Sequence, residues 1–451
     1  MTDSSESRSP RRLPRLARAA LGGLPRETRF ALYRRMVDCN PAPDPRLSLG
    51  IASTQDELEG CFALLHDAYV SSGFMKPDPS GLRVTPYHAL PTTTTLYAKF
   101  EEQIVGTLSI IREGVFGFPM QSAFDLTAVR AQPGRIAEIS ALAVHPNFRD
   151  TGGTILFPLM KFMYEYCTAY FDTRHLVIAV NPKHIEMYEA LLFFQRLQAD
   201  VVNSYDFANG APAVGATLDL KVAPGLFHEA YEGRRPNKNL HHYFTMVTLP
   251  NIKFPERTYY TTNDPVMSPA LLDHFFNQRT SVFQQLDERR RRLLKAIYHE
   301  ESYRDVLPFV IDGPVFLEPL RRHRRYSLKC PARLEYRTED GNRVVEMEVI
   351  DASLNGFLAR AKSPLPEQAR GVVTVQLGVG LLAETEAVVV RCITAKGGPY
   401  FGFRVQSPDA DWRRSIEGME QHHTAPGALS RTSEVADASE EWSVHDAEPN
   451  Y

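Results

Sequence analysis

Apolar residues fall into two differently written regions of the chain. Between residues 45 and 262, helix-period and strand-period stretches alternate. Glu57 to Val70 reads as a helix, and Thr94–Phe100 and Ile104–Ile111 read as two strands about a short Glu101-Glu102-Gln103 turn. An apolar strand at Ala137–Val144, a helix from about Gly153 to Tyr170, a strand at Leu176–Val180 and a helix from Pro182 to Phe194 follow. This pattern predicts an α/β (α+β) domain with an antiparallel hairpin inside it. Residues 266–305 predict helix, with Phe283, Leu286, Leu294 and Tyr298 gathered on one face and the Arg289–Arg292 run on the solvated side. From Arg321 to about Val405 the period becomes two, as in Val345, Met347, Val349 and in Phe401, Phe403, Val405. Short strands separated by Gly, Pro and Ser clusters predict a small β-barrel.

The 451 residues exceed one ordinary core, at roughly 150 residues per domain. The expected division is a basic N-terminal arm over 1–44, an α/β domain over 45–262, a helical connector over 263–317, a β domain over 318–415 and an acidic, disordered tail over 416–451. The arm, with arginines from Arg8 to Arg35, suits contact with anionic lipid or an acidic partner; a solvated tail is the commoner meaning of such composition. Five cysteines, odd in number and without C-x-x-C spacing, argue against a disulfide framework and against a zinc site. A net charge of −3 predicts no bulk attraction to a nucleic acid polymer. No apolar run approaches the ~18–20 residues of a membrane span and no secretory h-region opens the chain. The expected setting is the cytoplasm, with at most peripheral contact with the inner membrane.

Two motifs stand in the β region. Arg321-Arg322-His323-Arg324-Arg325 precedes its first strand, and Asp351-Ala352-Ser353-Leu354-Asn355-Gly356 follows Val344–Ile350. Guanidinium groups pair bidentately with phosphate or with guanine O6 and N7, short Asp and Ser side chains reach guanine edges, and glycine admits close backbone approach. An arginine cluster alone is more often a solvated patch. The pair resembles the R-x-x-x-R and D/N-x-S-x-x-G motifs of the PilZ family over roughly residues 318–410. This resemblance implies a six-stranded β-barrel that binds cyclic di-GMP through Arg321, Arg322, Arg325, Asp351, Ser353 and Gly356.

In the α/β region, Glu138-Ile139-Ser140 to His145-Pro146 leads into Arg149-Asp150-Thr151-Gly152-Gly153-Thr154. This strand–turn–helix resembles the acyl-carrier motif R/Q-x-x-G-x-G/A of GNAT acyltransferases, with Thr154 where Gly or Ala is usual. A glycine turn at a helix N-terminus offers backbone N–H groups to an anion. Arg149, Gly152, Gly153 and Thr154 are thus candidates for holding phosphopantetheine, on coenzyme A or an acyl carrier protein. Phe74-Met75-Lys76-Pro77, Val105-Gly106-Thr107-Leu108, Phe118-Pro119-Met120 and Gly215-Ala216-Thr217-Leu218 resemble the FeeM-like N-acyl amino acid synthase branch over about residues 50–250. That resemblance implies transfer of a long acyl chain from a carrier protein to an amino acid's α-amine.

Such an amine must lose a proton to attack, so a carboxylate near a strand end is the expected base. Glu138 and Ser140, two apart, share one strand face; a structural acid is the bland alternative for Glu138. Asn181-Pro182-x-His184-x-x-x-Tyr188-Glu189 resembles the last helix of GNAT proteins, and that resemblance implies Tyr188 as proton donor to the leaving thiolate; an ordinary helix aromatic is the alternative. Arg83 is the candidate for the amino acid's carboxylate, or a surface arginine. The leading expectation is an N-acyl amino acid synthase regulated by cyclic di-GMP. A short-chain acyl-CoA GNAT enzyme and an inactive receptor acting on a partner protein are the alternatives.

Overall fold

The computed structural model describes residues 23–149, 151, 153–254, 261, 264, 267–298, 301–307, 326–339, 341–361, 363–378, 380–395 and 398–420. Helix α1 (Arg26–Met36) precedes β1 (Leu47–Ile51) and α2 (Gln55–Ser71). The hairpin of β2 (Thr93–Phe100) and β3 (Gln103–Arg112) leads to β4 (Arg135–Val144), α3 (Leu156–Phe171), β5 (Thr173–Val180) and α4 (Pro182–Leu192). Two short strands, β6 (Gln195–Arg196) and β7 (Val202–Tyr205), precede β8 (Ala211–Asp219), α5 (Ala223–Tyr231) and α6 (Leu240–Thr245). The sheet runs β1-β2-β3-β4-β5-β8-β6, with β7 also on β8. Among the described strands of this sheet, β4 and β5 alone pair in parallel, and an isolated parallel bridge joins Leu49 of β1 to Ile252.

Local chemistry sets the element ends. Thr54 and Glu57 form a capping box at the start of α2, satisfying donors that the first helical turn leaves orphaned. Helix α4 opens on the Asn181 side chain with Pro182 at its first position and closes on Phe193 in the left-handed region, φ 61°. Its C-terminus thereby stops short of the predicted Phe194.

Each face of the sheet has its own core. Helices α3, α5 and α6 cover one face, around Phe162, Tyr166, Leu176 and Tyr243. The other face is covered by α2 together with the connector. The connector is therefore part of this domain's packing: Phe275, Phe283 and, from α7 (Glu288–Ile297), Leu294 are fully buried there, and the Tyr298 hydroxyl donates to the Ala89 carbonyl at 2.5 Å.

The β region forms a closed antiparallel barrel of β9 (Tyr326–Thr338), β10 (Gly341–Ser353), β11 (Gly356–Ala361), β12 (Arg370–Gly378), β13 (Leu381–Ala395) and β14 (Gly398–Ser407), ordered β10-β11-β14-β13-β12-β9. The six strands match the expected count. Helix α8 (Ala410–Glu420) closes one end, burying Trp412, Ile416 and Met419 in the barrel core. That helix carries ordered packing past residue 415, where the tail was expected to begin. The second half of the expected arm is likewise folded. Arg29 pairs with Glu186 and Arg26 with Glu189 at 3.0 Å, seating α1 on α4.

Candidate active site

Strands β4 and β5 pair only over Arg135–Glu138 against Thr173–Val177. Beyond Glu138 each keeps its outer neighbour, β4 with β3 to Val144 and β5 with β8 to Val180, so the sheet opens between them. A cleft of about 440 Å³ occupies the opening, and Glu138, Ser140, Arg149 and Tyr188 all line it. At the same place β4 carries a bulge opposite Leu108, with Ala141 at φ 54°. An L-residue held there is strained, and a bulge re-aims the backbone groups beside it.

Glu138 lies at the apex of the opening, 1% exposed, and its Oε2 accepts the Met120 backbone N–H at 3.0 Å. Burial outweighs that hydrogen bond and pushes its carboxyl up to about 8. Tyr87 and Tyr205 are its phenolic neighbours, and burial raises both above the ordinary range. Tyr188, edge-on to Phe194 at 5.9 Å, is pushed up by burial to about 12 and so keeps its proton at neutral pH.

The Arg149 Nε donates to the Val144 carbonyl at 2.8 Å, which folds the side chain back over the end of β4. Gly153 has φ 89°, and a Cβ there would lie 2.5 Å from the Phe157 ring, so both conformation and space favour glycine. Thr154, where the motif departs from glycine or alanine, has its hydroxyl 2.5 Å from that of Thr151. Gly153 and Thr154 line a neighbouring hollow with Phe100 and Phe148 rather than the main cleft. Gly152 lies outside the described residues.

Arg83 is buried, not a surface arginine. Its guanidinium sits 3.9 Å from the Tyr69 ring centroid and donates to the Phe207 carbonyl at 2.6 Å, while Nη1 has no hydrogen-bond partner. Tyr69 and Phe207 line the cleft, placing Arg83 one side chain behind its wall. Met120 stood in the Phe118-Pro119-Met120 segment named above, but its role here is played by a backbone N–H that no side-chain pattern reveals, and nothing in the sequence pointed to Tyr205.

In the barrel, Asp351 and Ser353 stand at the end of β10 and Gly356 begins β11. The Ser353 hydroxyl donates to the Gly356 carbonyl at 3.0 Å. A Cβ at Gly356 would meet the Phe403 carbonyl oxygen at 2.6 Å, so this glycine lets β11 approach β14 closely. Asp351 pairs with Ser327 across a register shift in β10. Arg321, Arg322 and Arg325 lie outside the described residues. Among the described residues no group of three His, Cys, Asp or Glu side chains is placed to hold a metal ion, and no helix is long and apolar enough to cross a membrane.

The open sheet with its cleft forms one domain, and the closed barrel with its helix a second, separately cored one. Residues 60–219 match the family model of the N-acyl amino acid synthase FeeM, and residues 319–419 that of the PilZ domain; the chain joins an acyltransferase domain of the first kind to a domain of the second. Among solved structures it is similar to FeeM from uncultured soil microbes, at 25% identity and TM-score 0.34 over 40% of this chain and 95% of that one. It is also similar to the CoA-dependent acyl-homoserine lactone synthase BjaI, at 21% identity and TM-score 0.34 over 46% and 92%. The PilZ domain of YcgR from Escherichia coli, solved with c-di-GMP, aligns at 18% identity and TM-score 0.18 over 28% of this chain and 98% of that one. No curated protein matches the chain.

Proposed function

We propose that the chain transfers a long acyl group from a phosphopantetheine thioester, carried by an acyl carrier protein or coenzyme A, to the α-amine of an amino acid, under control of cyclic di-GMP bound to its barrel. The observation that carries this reading is the buried Glu138 carboxyl at the apex of the cleft, poised near 8. A base titrating near the working pH both exists in its free form and drives proton transfer. The free β4 edge beyond Glu138 offers N–H and C=O groups to the amides of a pantetheine arm, as a sheet edge does to an added strand. Arg149, which lines the cleft ahead of α3, suits its phosphate.

In this reading the neutral amine attacks the thioester carbonyl and Glu138 accepts the proton that the nitrogen must shed. The carbon–sulfur bond then breaks, and Tyr188 protonates the leaving thiolate. Arg83, with one buried nitrogen unpartnered, is the candidate for the acceptor's carboxylate once Tyr69 or Phe207 shifts.

Incubation with acyl donors and mixed amino acids, read by mass spectrometry, tests the assignment. A long-chain acyl amide is expected from the wild type, and Glu138→Gln should lower turnover by on the order of 10²–10⁴. Acetyl transfer alone would indicate the short-chain enzyme, and no product with any donor would indicate a receptor without catalysis.

A further inference from the structure

Two hydrogen-bond donors on the Glu138 side of the cleft are buried and have no partner: the Tyr205 hydroxyl and Arg83 Nη1. Tyr205 is 3% exposed and Arg83 6%. Tyr205 closes β7 and pairs with Ala211 of β8. Between them Asn209 and Gly210 stand at φ 52° and 83°, and the Gly210 N–H donates to the Tyr205 carbonyl at 2.9 Å. Asn followed by Gly takes two left-handed positions at little steric cost, which fixes the turn. The Tyr205 ring thereby lines the cleft, held by Phe124 and Phe207 at ring-centroid distances of 6.2 and 6.1 Å. The Phe207 ring also lies 5.1 Å from the Arg83 guanidinium, so one aromatic ring packs against both donor side chains.

The chemistry of this pair calls for an anion. Arg83 is charged at every working pH, yet its contacts among the described residues are two aromatic rings and one carbonyl, none of them an anion. Burial and then the charge of Glu138 raise the Tyr205 phenol, against a smaller opposing pull from Arg83, so it stays a donor. A buried donor without an acceptor costs free energy. A carboxylate, whose two oxygens only accept, satisfies both donors at once. We infer that Tyr205 determines acceptor specificity: its hydroxyl and Arg83 Nη1 each bind one carboxylate oxygen of an acceptor whose amine lies at Glu138, so the site selects free α-amino acids over their amides. Tyr205 lines the cleft already, and Arg83 comes within reach as Phe207 turns aside. The inference rests on the amino-acid acylation proposed above and names the residue that chooses the acceptor.

Tyr205→Phe deletes the hydroxyl and keeps the ring. Because that hydroxyl makes no bond within the protein, the variant should melt no lower than the wild type. The test uses the full-length wild type and this variant with N-dodecanoylglycine, which carries the carboxylate common to all amino acids, and with N-dodecanoylglycinamide, its neutral counterpart. Calorimetry should show the wild type binding the acid more tightly than the amide. Tyr205→Phe should lose on the order of 10–100-fold on the acid and less than about threefold on the amide, since hydrogen bonds to charged groups are the stronger kind. A wild type that binds neither compound or both alike, or a variant that loses nothing or loses equally on the two, overturns the assignment. Both proteins are then assayed with dodecanoyl-pantetheine and limiting mixed amino acids. Selective binding of the acid with no acyl amide formed overturns the acyltransferase reading and leaves the carboxylate site standing. Acyl amide formed at the same rate by both proteins does the reverse.

Discussion

Glu138 has a cost that can be measured without any substrate. Below about pH 4.5 its carboxyl is protonated in folded and unfolded chains alike, and its burial carries no titration penalty. Between there and about 8 the unfolded chain releases the proton while the folded chain retains it, so stability falls across this window as pH rises and levels off above it. One pKa unit corresponds to about 1.4 kcal/mol, so the whole effect is several kcal/mol. Glu138→Gln should therefore melt well above the wild type at about pH 8.5, with the gap closing toward about pH 5. Parallel melting curves across that range would show that the carboxyl ionises inside the fold without hindrance. At this scale the sequence was partly legible. Period-two spacing put Glu138 and Ser140 on one face, and both line the cleft. The burial of Arg83 was not legible, because it depends on tertiary contacts, among them the Phe207 carbonyl 124 residues further along the chain.

Elements that close locally were readable. The β2–β3 hairpin and α2 carry their own turn and cap, and the structure extends each prediction by at most two residues at either end. Helix α1 was not readable, because what fixes it is non-local: Arg26 and Arg29 meet Glu189 and Glu186 of α4 from over 150 residues away. Helix α4 carries Tyr188 and His184 to the cleft and these two glutamates to α1, so α1 braces a wall of the site. Arg29→Glu would set three carboxylates together and should lower kcat/KM about two- to fivefold, in keeping with a part-exposed ion pair. Adding Glu186→Arg should restore it. Steady-state acylation by the single and double variants decides this; a single variant as active as the wild type would reduce α1 to a passive cover.

Across the whole molecule, the change from mixed periodicity to period two marked the barrel correctly, while the role of the connector stayed hidden. Its attachment depends on pairs such as Phe62 with Phe275, ring centroids 5.2 Å apart, which no local pattern reveals. Because the connector shares a core with Tyr87 and Ala89, and Tyr87 neighbours Glu138, a shift of the barrel can reach the acid through packed side chains. Coupling requires that the ligand favour one of two arrangements, and ~1–3 kcal/mol of it changes activity several-fold to about a hundredfold. Cyclic di-GMP is therefore expected to bind the wild type and alter its acylation rate, whereas a variant with Arg321→Ala and Arg325→Ala should not bind it and should keep its basal rate. Calorimetry and acylation assays run side by side check both; binding with an unchanged rate would separate sensor from enzyme.

The helix that closes the barrel gives the protein an optical gauge of its own. Trp412 is fully buried, and its indole N–H donates to the Leu354 carbonyl at 3.2 Å, in the turn between Ser353 and Gly356. The chain has two tryptophans, and the other, Trp442, lies outside the described residues. With Trp442→Phe, all indole fluorescence arises from a dry site hydrogen-bonded to the turn proposed to meet the nucleotide. A ligand seated on that turn should change the emission intensity or wavelength of Trp412, and titration against cyclic di-GMP would then read occupancy directly from light, with no label attached.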